Sequence, residues 1–560
     1  MDIKREIENE LKKVLPSADF DGELVKIPTD KTKADYVSNV AFVLAKTLGK
    51  NPLELAEELA TRVKSELFTA SSERGFINFH LTDLAITQCA KQVVSAGKDF
   101  GKHEDLQGQI WEVEHTSPNP NKAMHIGHLR NNLVGMSIAN LGEVGGAKVV
   151  RDWIDNNRGI AISMAMWAYE RFHQNETPES LGLKPDHFVG QCYQEGSDAA
   201  KSDDKADREI RDMTVAWESG DEKTHQLWQK IIDWAHEGIF ATLGRIGSRW
   251  DNDWHESDHY QAGKNLVDEG LKKSVFTRLD DGAILTKLED YNIPNTIVQK
   301  SDGTSLYITQ DLELTRLKKA EYSADKLFWV VGPEQTLALK QVFAVCEQLG
   351  IGKLEDFTHV PYGLVSFRDE DGKRKKISSR GGALSLDEIL DEVKNYLLKQ
   401  DRGYSEEKAD AIGVAAVKFA MLKPGRTTDT VLDLKELTNL QGDSGVYVLY
   451  TRARILSVMR KIGETQDNGD FSWNEAEKNL VATVNYLPEI IKAATSELAP
   501  NQLVEFLIDV CRQFNSIYGN EKFITENEQE TAKKLLLSEA TLTAINTALD
   551  ILGIEPVDQI

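Results

Sequence analysis

The residues of this chain whose types and spacing most directly suggest chemistry are His125-Ile126-Gly127-His128. They open a helical pattern in which Leu129, Leu133, Met136 and Leu141 recur on one side, and Gly145-Gly146 ends it. Two imidazoles three apart on a first turn face the same way. Backbone N–H groups and the helix dipole favour phosphate there. The rings can hydrogen-bond phosphate oxygens as an α-phosphate becomes pentacoordinate. Gly127 lets a flat base approach the backbone. A metal shared by the two rings is disfavoured, because no third ligand stands at suitable spacing. A second cluster lies far downstream, with Lys373, Arg374, Lys375, Lys376 and Arg380 beside the hydroxyls Ser378 and Ser379. It would suit a clamp for departing pyrophosphate. Alone, the first motif is equally a helix-capping histidine and the second a solvated charge run. Together they point to adenylyl transfer.

The elements that must position these groups are readable around them. Trp111–Ile154 reads strand, polar turn with Pro118 and Pro120, helix, strand. This βαβ unit puts its first loop at the carboxyl end of a parallel sheet, where open α/β folds bind ligands. GxxxxGK[ST], GxGxxG after a strand, and HExxH are all absent, which disfavours phosphate-loop, dinucleotide and zinc-protease chemistry. With 560 residues, roughly three to four domains are expected. The balance of 66 basic and 90 acidic residues (net −24) argues against a general nucleic-acid coat but not against a local basic face. Cys89, Cys192, Cys346 and Cys511 form no CxxC pair, so reduced thiols in a cytoplasmic protein are expected. The N-terminus reads as a charged amphipathic helix, not a signal peptide, and no apolar run approaches a membrane span.

The expected fold is multidomain α/β. Residues 1–105 form an N-terminal α/β domain, with Glu23–Ile27 and Gly75–Leu81 as strands and helices over Val37–Leu48 and Leu53–Val63. Residues 106–384 form a doubly wound parallel-sheet (Rossmann-like) catalytic domain with an insertion at about 166–275. The strand-like pieces Ala283–Leu288, Thr296–Gln299, Leu306–Ile308, Leu327–Val331 and His359–Phe367 are assigned to its second half, with Asp311 opening a helix. The charged segment from Gln174 to Asp221 leaves the sheet. Residues 385–560 show helical periodicity and little strand signal, which predicts an all-α bundle.

At this point the residues carry a resemblance. His125–His128 and Lys376-Ile377-Ser378-Ser379-Arg380 are similar to the HIGH and KMSKS signatures of class I aminoacyl-tRNA synthetases. The wider context resembles the arginyl-tRNA synthetase family: Glu114-His-Thr-Ser-Pro-Asn119 with Lys122, Ser301-Asp-Gly-Thr304 with Tyr307 and Asp311, Val331–Gln335, and Tyr447, Tyr450, Arg452 and Arg454. The resemblance implies an arginine–tRNA ligase that uses ATP with Mg²⁺. His125, His128, Lys376 and Lys122 would be catalytic. His125, Gly127, His128, Lys376, Ser378 and Ser379 would bind ATP. Asp311 and Tyr307 would hold the guanidinium, with Glu114, Asn119, His125 and Gln335 at the amino acid's backbone end. Tyr447, Tyr450, Arg452 and Arg454 would contact tRNA(Arg) from an anticodon-binding bundle, and residues 1–105 would touch the tRNA elbow. A monomer without a membrane partner or a protein-held metal is expected. The resemblance also implies that tRNA is needed even for the first step. Three departures stand out: Ser379 replaces the second lysine of KMSKS, so Lys122 takes a phosphate role; Asp155–Gly159 differs from the family's commoner form; and the tail lacks a methionine end. A small nucleotidylyltransferase and a non-catalytic tRNA-binding protein are the alternatives. The length between the two motifs disfavours the first, and intact His125, Gly127, His128 and Lys376 disfavour the second.

Overall fold

The computed structural model describes residues 2–15, 23–260, 263–303, 306–368, 374–375, 384–400, 402–463, 469 and 471–558. At its centre five parallel strands run in the order Phe357–His359, Lys326–Trp329, Ile110–Glu114, Lys148–Asp155, Asn252–His255. The strand order reverses between Ile110–Glu114 and Lys326–Trp329, so the crevice at their carboxyl ends is the topological switch point at which such sheets bind ligands. The helix carrying the two histidines, Ile126–Val144, follows the first strand directly. It is buried on almost every side. The sheet lies on one flank, and the helices Glu406–Leu422 and Glu528–Ile551 lie on the other.

The expected second half of the sheet differs. Phe276–Arg278, Ile284–Thr286 and Thr296–Gln299 form a separate antiparallel sheet. The connections between them are short and carry no crossover helix, which permits antiparallel but not parallel pairing. Leu306–Ile308 is not a strand. Tyr307–Tyr322 is one helix, so Asp311 lies inside its second turn and does not open it. The strand Asn252–His255, from within the segment read as an insertion, pairs with Asp152–Asp155. The helices Ile160–Phe172, Pro185–Ser202, Asp204–Glu218 and Glu222–Arg245 are therefore an enlarged crossover between two neighbouring parallel strands. They have their own core of Ile162, Met166, Phe188, Cys192, Ile210 and Ile231. The charged run after Gln194 is helical on both sides of Asp203, whose carboxylate caps the second helix, and Ala206 and Ile210 supply its buried face.

In the N-terminal unit, Ile3, Ile7 and Leu11 bury one face of the helix Ile3–Val14. Tyr36–Ser38, Phe76–Leu81 and Phe68–Glu73 form an antiparallel sheet. Glu23–Ile27 contributes only the isolated bridge Lys26–Val37. The C-terminal part is helical, with one strand that its sequence did not announce. Thr430–Asp433 pairs in parallel with Val365–Arg368, which pairs with Arg374–Lys375. Pro488 explains why the periodic run over Glu475–Leu498 is two helices, broken at Tyr486. All four cysteines are buried free thiols. Among the described residues no helix is long and apolar enough to cross a membrane.

Candidate active site

His125 has extended backbone and caps its helix, while His128 occupies the third helical position. The Gly127 N–H donates to His125 Nδ1 at 3.2 Å, and the His125 N–H donates to His128 Nδ1 at 3.2 Å. Each Nδ1 is thus an acceptor, which places the proton of each neutral ring on Nε2. The rings stack with centroids 3.7 Å apart and planes 15° apart. A Cβ at position 127 would sit 3.1 Å from the His125 ring, so glycine there lets that ring fold over the first turn. Burial pushes the His125 pKa down to about 4, with Lys122 adding to the effect. Burial, then His125 and Lys122, holds His128 well below the ordinary histidine value. The pair therefore offers two directed N–H dipoles and not two positive charges. Burial also lowers the pKa of Lys122.

The switch-point crevice opens into a cavity of about 850 Å³ lined by Asn119, Asn156, Arg158, Glu256, Tyr307, Asp311 and Gln335. Four residues expected to hold the amino acid therefore meet there: Asn119, Tyr307, Asp311 and Gln335. Tyr307, at the first position of its helix, is 84% exposed. It therefore stands on a helix and not in the strand expected over Leu306–Ile308. Asp311 is exposed to solvent at the cavity. Partial desolvation of its carboxylate by the surrounding wall, together with the nearby Glu114 and Glu256, pushes its pKa up to about 7. Glu256 was invisible to sequence reasoning, because it follows a four-residue strand too short to show alternation. Burial raises its pKa, opposed by Arg158, whose Nη1 lies 3.2 Å from Glu256 Oε1. Arg158 is held in turn over the ring of Tyr260, 4.1 Å from its centroid.

Glu114 and His125 do not line this cavity. Glu114 is in the layer beneath, where the buried Lys318 Nζ lies 2.7 Å from Glu114 Oε2, 2.9 Å from Glu112 Oε1 and 3.5 Å from Asp152 Oδ2. Lys318 stays protonated: burial opposes its charge, but the three carboxylates outweigh it. Burial pushes the pKa of Glu112 well above the carboxylate range, opposed by Lys318. The divergent segment Asp155–Gly159 knits two strand ends together. Asp155 Oδ2 is 2.7 Å from His255 Nδ1, Asn157 Nδ2 donates to Ser257 Oγ at 3.0 Å, and Asn156 Nδ2 donates to Asn119 Oδ1 at 3.1 Å.

Lys376, Ser378 and Ser379 lie outside the described residues. In the helical bundle, Tyr450 and Arg454 line a basic cavity of about 770 Å³ with Tyr404, Lys408, Tyr518 and Lys522. The Arg454 guanidinium lies 4.7 Å from the Tyr450 ring centroid and 4.8 Å from that of Tyr518. Tyr447, half-buried on the same helix, does not line it. Arg452 does not line it: the residue is 8% exposed, and its guanidinium is 2.7 Å from Asn546 Oδ1 and 2.8 Å from Oδ1 of the exposed Asp558. Among the described residues one group could hold a metal, Asp186, His187 and Asp387. The Lys184 ammonium is already 3.2 Å and 2.8 Å from its two carboxylates. Among the described residues the charged or titratable groups that bear on His125 and His128 are each other and Lys122. That donor set matches phosphate and not Mg²⁺.

Three family descriptions match successive parts of the chain. "Arginyl tRNA synthetase N terminal domain" matches residues 1–81, "tRNA synthetases class I (R), catalytic domain" residues 91–434, and "DALR anticodon binding domain" residues 448–560. The arginine–tRNA ligase of Borreliella afzelii is 30% identical, over 94% of this chain and 92% of its own length. That of Bacteroides fragilis is 29% identical, over 95% and 96%. Among solved structures, Thermus thermophilus arginyl-tRNA synthetase superposes with a TM-score of 0.82 at 23% identity, covering 100% of both chains. The Plasmodium falciparum arginyl-tRNA synthetase gives 0.79 at 20% identity, covering 100% of this chain and 98% of its own. At these identities the structural likeness speaks to the fold.

Proposed function

This chain belongs to the arginyl family of class I tRNA synthetases, and from that premise we propose how its residues carry out arginine–tRNA ligation. The observation that carries the reading is Asp311. It is an exposed carboxylate in the wall of an open cavity that Glu256 also faces, and it has no ion-pair partner among the described residues. A guanidinium fits that demand, since carboxylates pair with it through short charge-assisted hydrogen bonds. Tyr307 supplies a further acceptor at the rim. Asn119 and Gln335 bind the amino acid's backbone end, and Glu114, held by Lys318, acts from beneath.

Arginine's carboxylate oxygen attacks the α-phosphorus of ATP in line. A P–O bond forms, the bond to pyrophosphate breaks, and arginyl-adenylate results. The Nε2–H groups of His125 and His128 donate to phosphate oxygens as charge builds on them, with the Lys122 ammonium beside them. Neutral, fixed donors need no reorganisation during the step. Lys376, Ser378 and Ser379 take the pyrophosphate side. Mg²⁺ enters on the phosphates as part of the nucleotide substrate, and no protein ligand is assigned to it. A terminal ribose hydroxyl of tRNA(Arg) then attacks the carbonyl carbon and AMP leaves. No covalent enzyme intermediate is needed, because positioning and charge stabilisation do the work.

Residues 1–105 touch the tRNA elbow, 106–384 carry the chemistry, and 385–560 read the anticodon. Tyr450 and Arg454 offer a stacking face for an unpaired base. The protein acts as a cytoplasmic monomer. The test is ATP–pyrophosphate exchange with each standard amino acid, with and without tRNA, followed by charging of purified tRNA(Arg). Exchange is expected with arginine alone and only when tRNA is present. Exchange driven by another amino acid, or tRNA binding without charging, would overturn the reading. Full arginine exchange without tRNA would remove the tRNA requirement.

A further inference from the structure

Thr116 is, among the described residues, the one β-branched residue in the left-handed backbone region, with φ of 56°. A β-branched side chain resists that conformation, and such outliers persist only where surrounding structure over-determines them. Here the surroundings are explicit. The Thr116 N–H donates to Asn131 Oδ1 at 2.6 Å. Asn131 Nδ2 donates to the Val330 carbonyl at 2.6 Å. Asn132 Nδ2 donates to Thr116 Oγ1 at 2.8 Å, and His115 Nδ1 lies 2.6 Å from the same oxygen. Asn131, Asn132 and Thr116 are all buried. A Cβ at Gly135 would come within 2.3 Å of His115 Cβ, so glycine there lets the His115 side of this clamp close on the helix.

The location gives the clamp its meaning. Thr116 follows the strand Ile110–Glu114, and Val330 follows Lys326–Trp329. These are the two strands between which the sheet order reverses. Asn131 thus ties both strand ends to the helix that carries His125 and His128. The loop it bends runs on through Ser117, whose Oγ accepts from the Ile154 N–H at 3.1 Å, to Asn119 in the cavity wall. We propose that Asn131, assisted by Asn132, is a positioning residue for the amino-acid substrate. It holds Thr116 in its left-handed conformation and so fixes Asn119 opposite Gln335, in register with the histidine helix.

This rests on the arginine-ligase reading, and the experiment separates the two. Asn131→Ala, Asn132→Ala, Thr116→Gly and the double variant Asn131→Ala/Thr116→Gly are compared with the unaltered full chain in arginine-dependent ATP–pyrophosphate exchange with tRNA present. If the unaltered chain shows no such exchange, the ligase reading fails. With it active, Asn131→Ala is expected to raise the arginine KM about tenfold and leave the ATP KM within about twofold, because Thr116 is then free to leave its left-handed conformation and Asn119 moves with it. Asn132→Ala, which keeps the backbone bond, is expected to move the arginine KM the same way by about threefold and serves if Asn131→Ala does not fold. Glycine takes the left-handed conformation without steric cost. Thr116→Gly is therefore expected to leave the arginine KM within about twofold, and the double variant to recover to within about threefold of the unaltered chain. An unchanged arginine KM in both asparagine variants, an equal rise in both substrates' KM, or a double variant as impaired as Asn131→Ala would each overturn the proposal.

Discussion

Asp311 and Lys318 lie two turns apart on the same helix, Tyr307–Tyr322, and both sit among carboxylates, yet the two places behave oppositely. Around Lys318, three acids from two strands converge on one ammonium, and the charge is settled within the chain. Around Asp311, Glu114 and Glu256 add like charge and no described cation is paired with it. The first arrangement holds strands and helix together. The second leaves a demand that a ligand must meet. A charged residue in this region thus acts as structure or as site according to whether its counter-charge belongs to the chain.

The largest expected effect breaks the settled side of that contrast. Lys318→Met removes the one cation that, among the described residues, pairs with this buried group, and leaves Glu112, Glu114 and Asp152 facing one another. Denaturant unfolding should show a loss of about 3–5 kcal/mol. Retained stability would mean that the carboxylates are not held by Lys318. Asp311→Asn should do the reverse, weakening arginine binding at least about a hundredfold by calorimetry while the unliganded fold becomes no less stable. The sign follows from its pKa, which is raised from an unfolded 3.8 to about 7. Its favourable contribution is complete below the unfolded value and is lost as pH rises through about 7, so a neutral side chain escapes that loss.

The same shift predicts the pH dependence of binding. With its pKa raised to about 7, Asp311 should bind arginine less well as pH falls through that value, with proton release seen in buffers of different ionisation heat. Affinity that is level between about pH 6 and about pH 8 would place the recognising charge elsewhere. Glu256→Gln should cost less, about tenfold in arginine KM, because Arg158 already shares that carboxylate. The smallest expected effect concerns the histidines. Both are held neutral, so the exchange rate at saturating substrates should show no step near the ordinary histidine value from about pH 8 down to about pH 5.

Much of this was legible in the residues wherever the signal is local. His125 and His128 at a helix start and the strand–loop–helix–strand unit around them agree with the structure, and the C-terminal end is helical apart from Thr430–Asp433. The misses share a cause. The polar run Asn252–His255 joins the central sheet, and the apolar run Ile284–Thr286, which reads more like a strand, does not. What decides is whether a crossover long enough for parallel pairing precedes the strand, and the helices Ile160–Phe172 to Glu222–Arg245 supply one only to the first. Arg452 and Arg454 differ in the same way. They are two residues apart on one helix, so one is buried with its guanidinium held by Asn546 and Asp558, and the other lies against the Tyr450 and Tyr518 rings at the basic cavity.

The sequence by itself determined which chemical groups are present and the local backbone that carries them. Capping, helical spacing and turn residues act over a few neighbours, and the motifs place imidazole, ammonium and carboxylate at known steps along the chain. Only the tertiary structure decided which charges are spent and which are free. Lys318 is neutralised by strands some two hundred residues earlier, Asp311 is left beside Glu256, and both histidines are stripped of charge by burial. Electrostatic free energy depends on distance and on exclusion of water, and neither is a property of chain order.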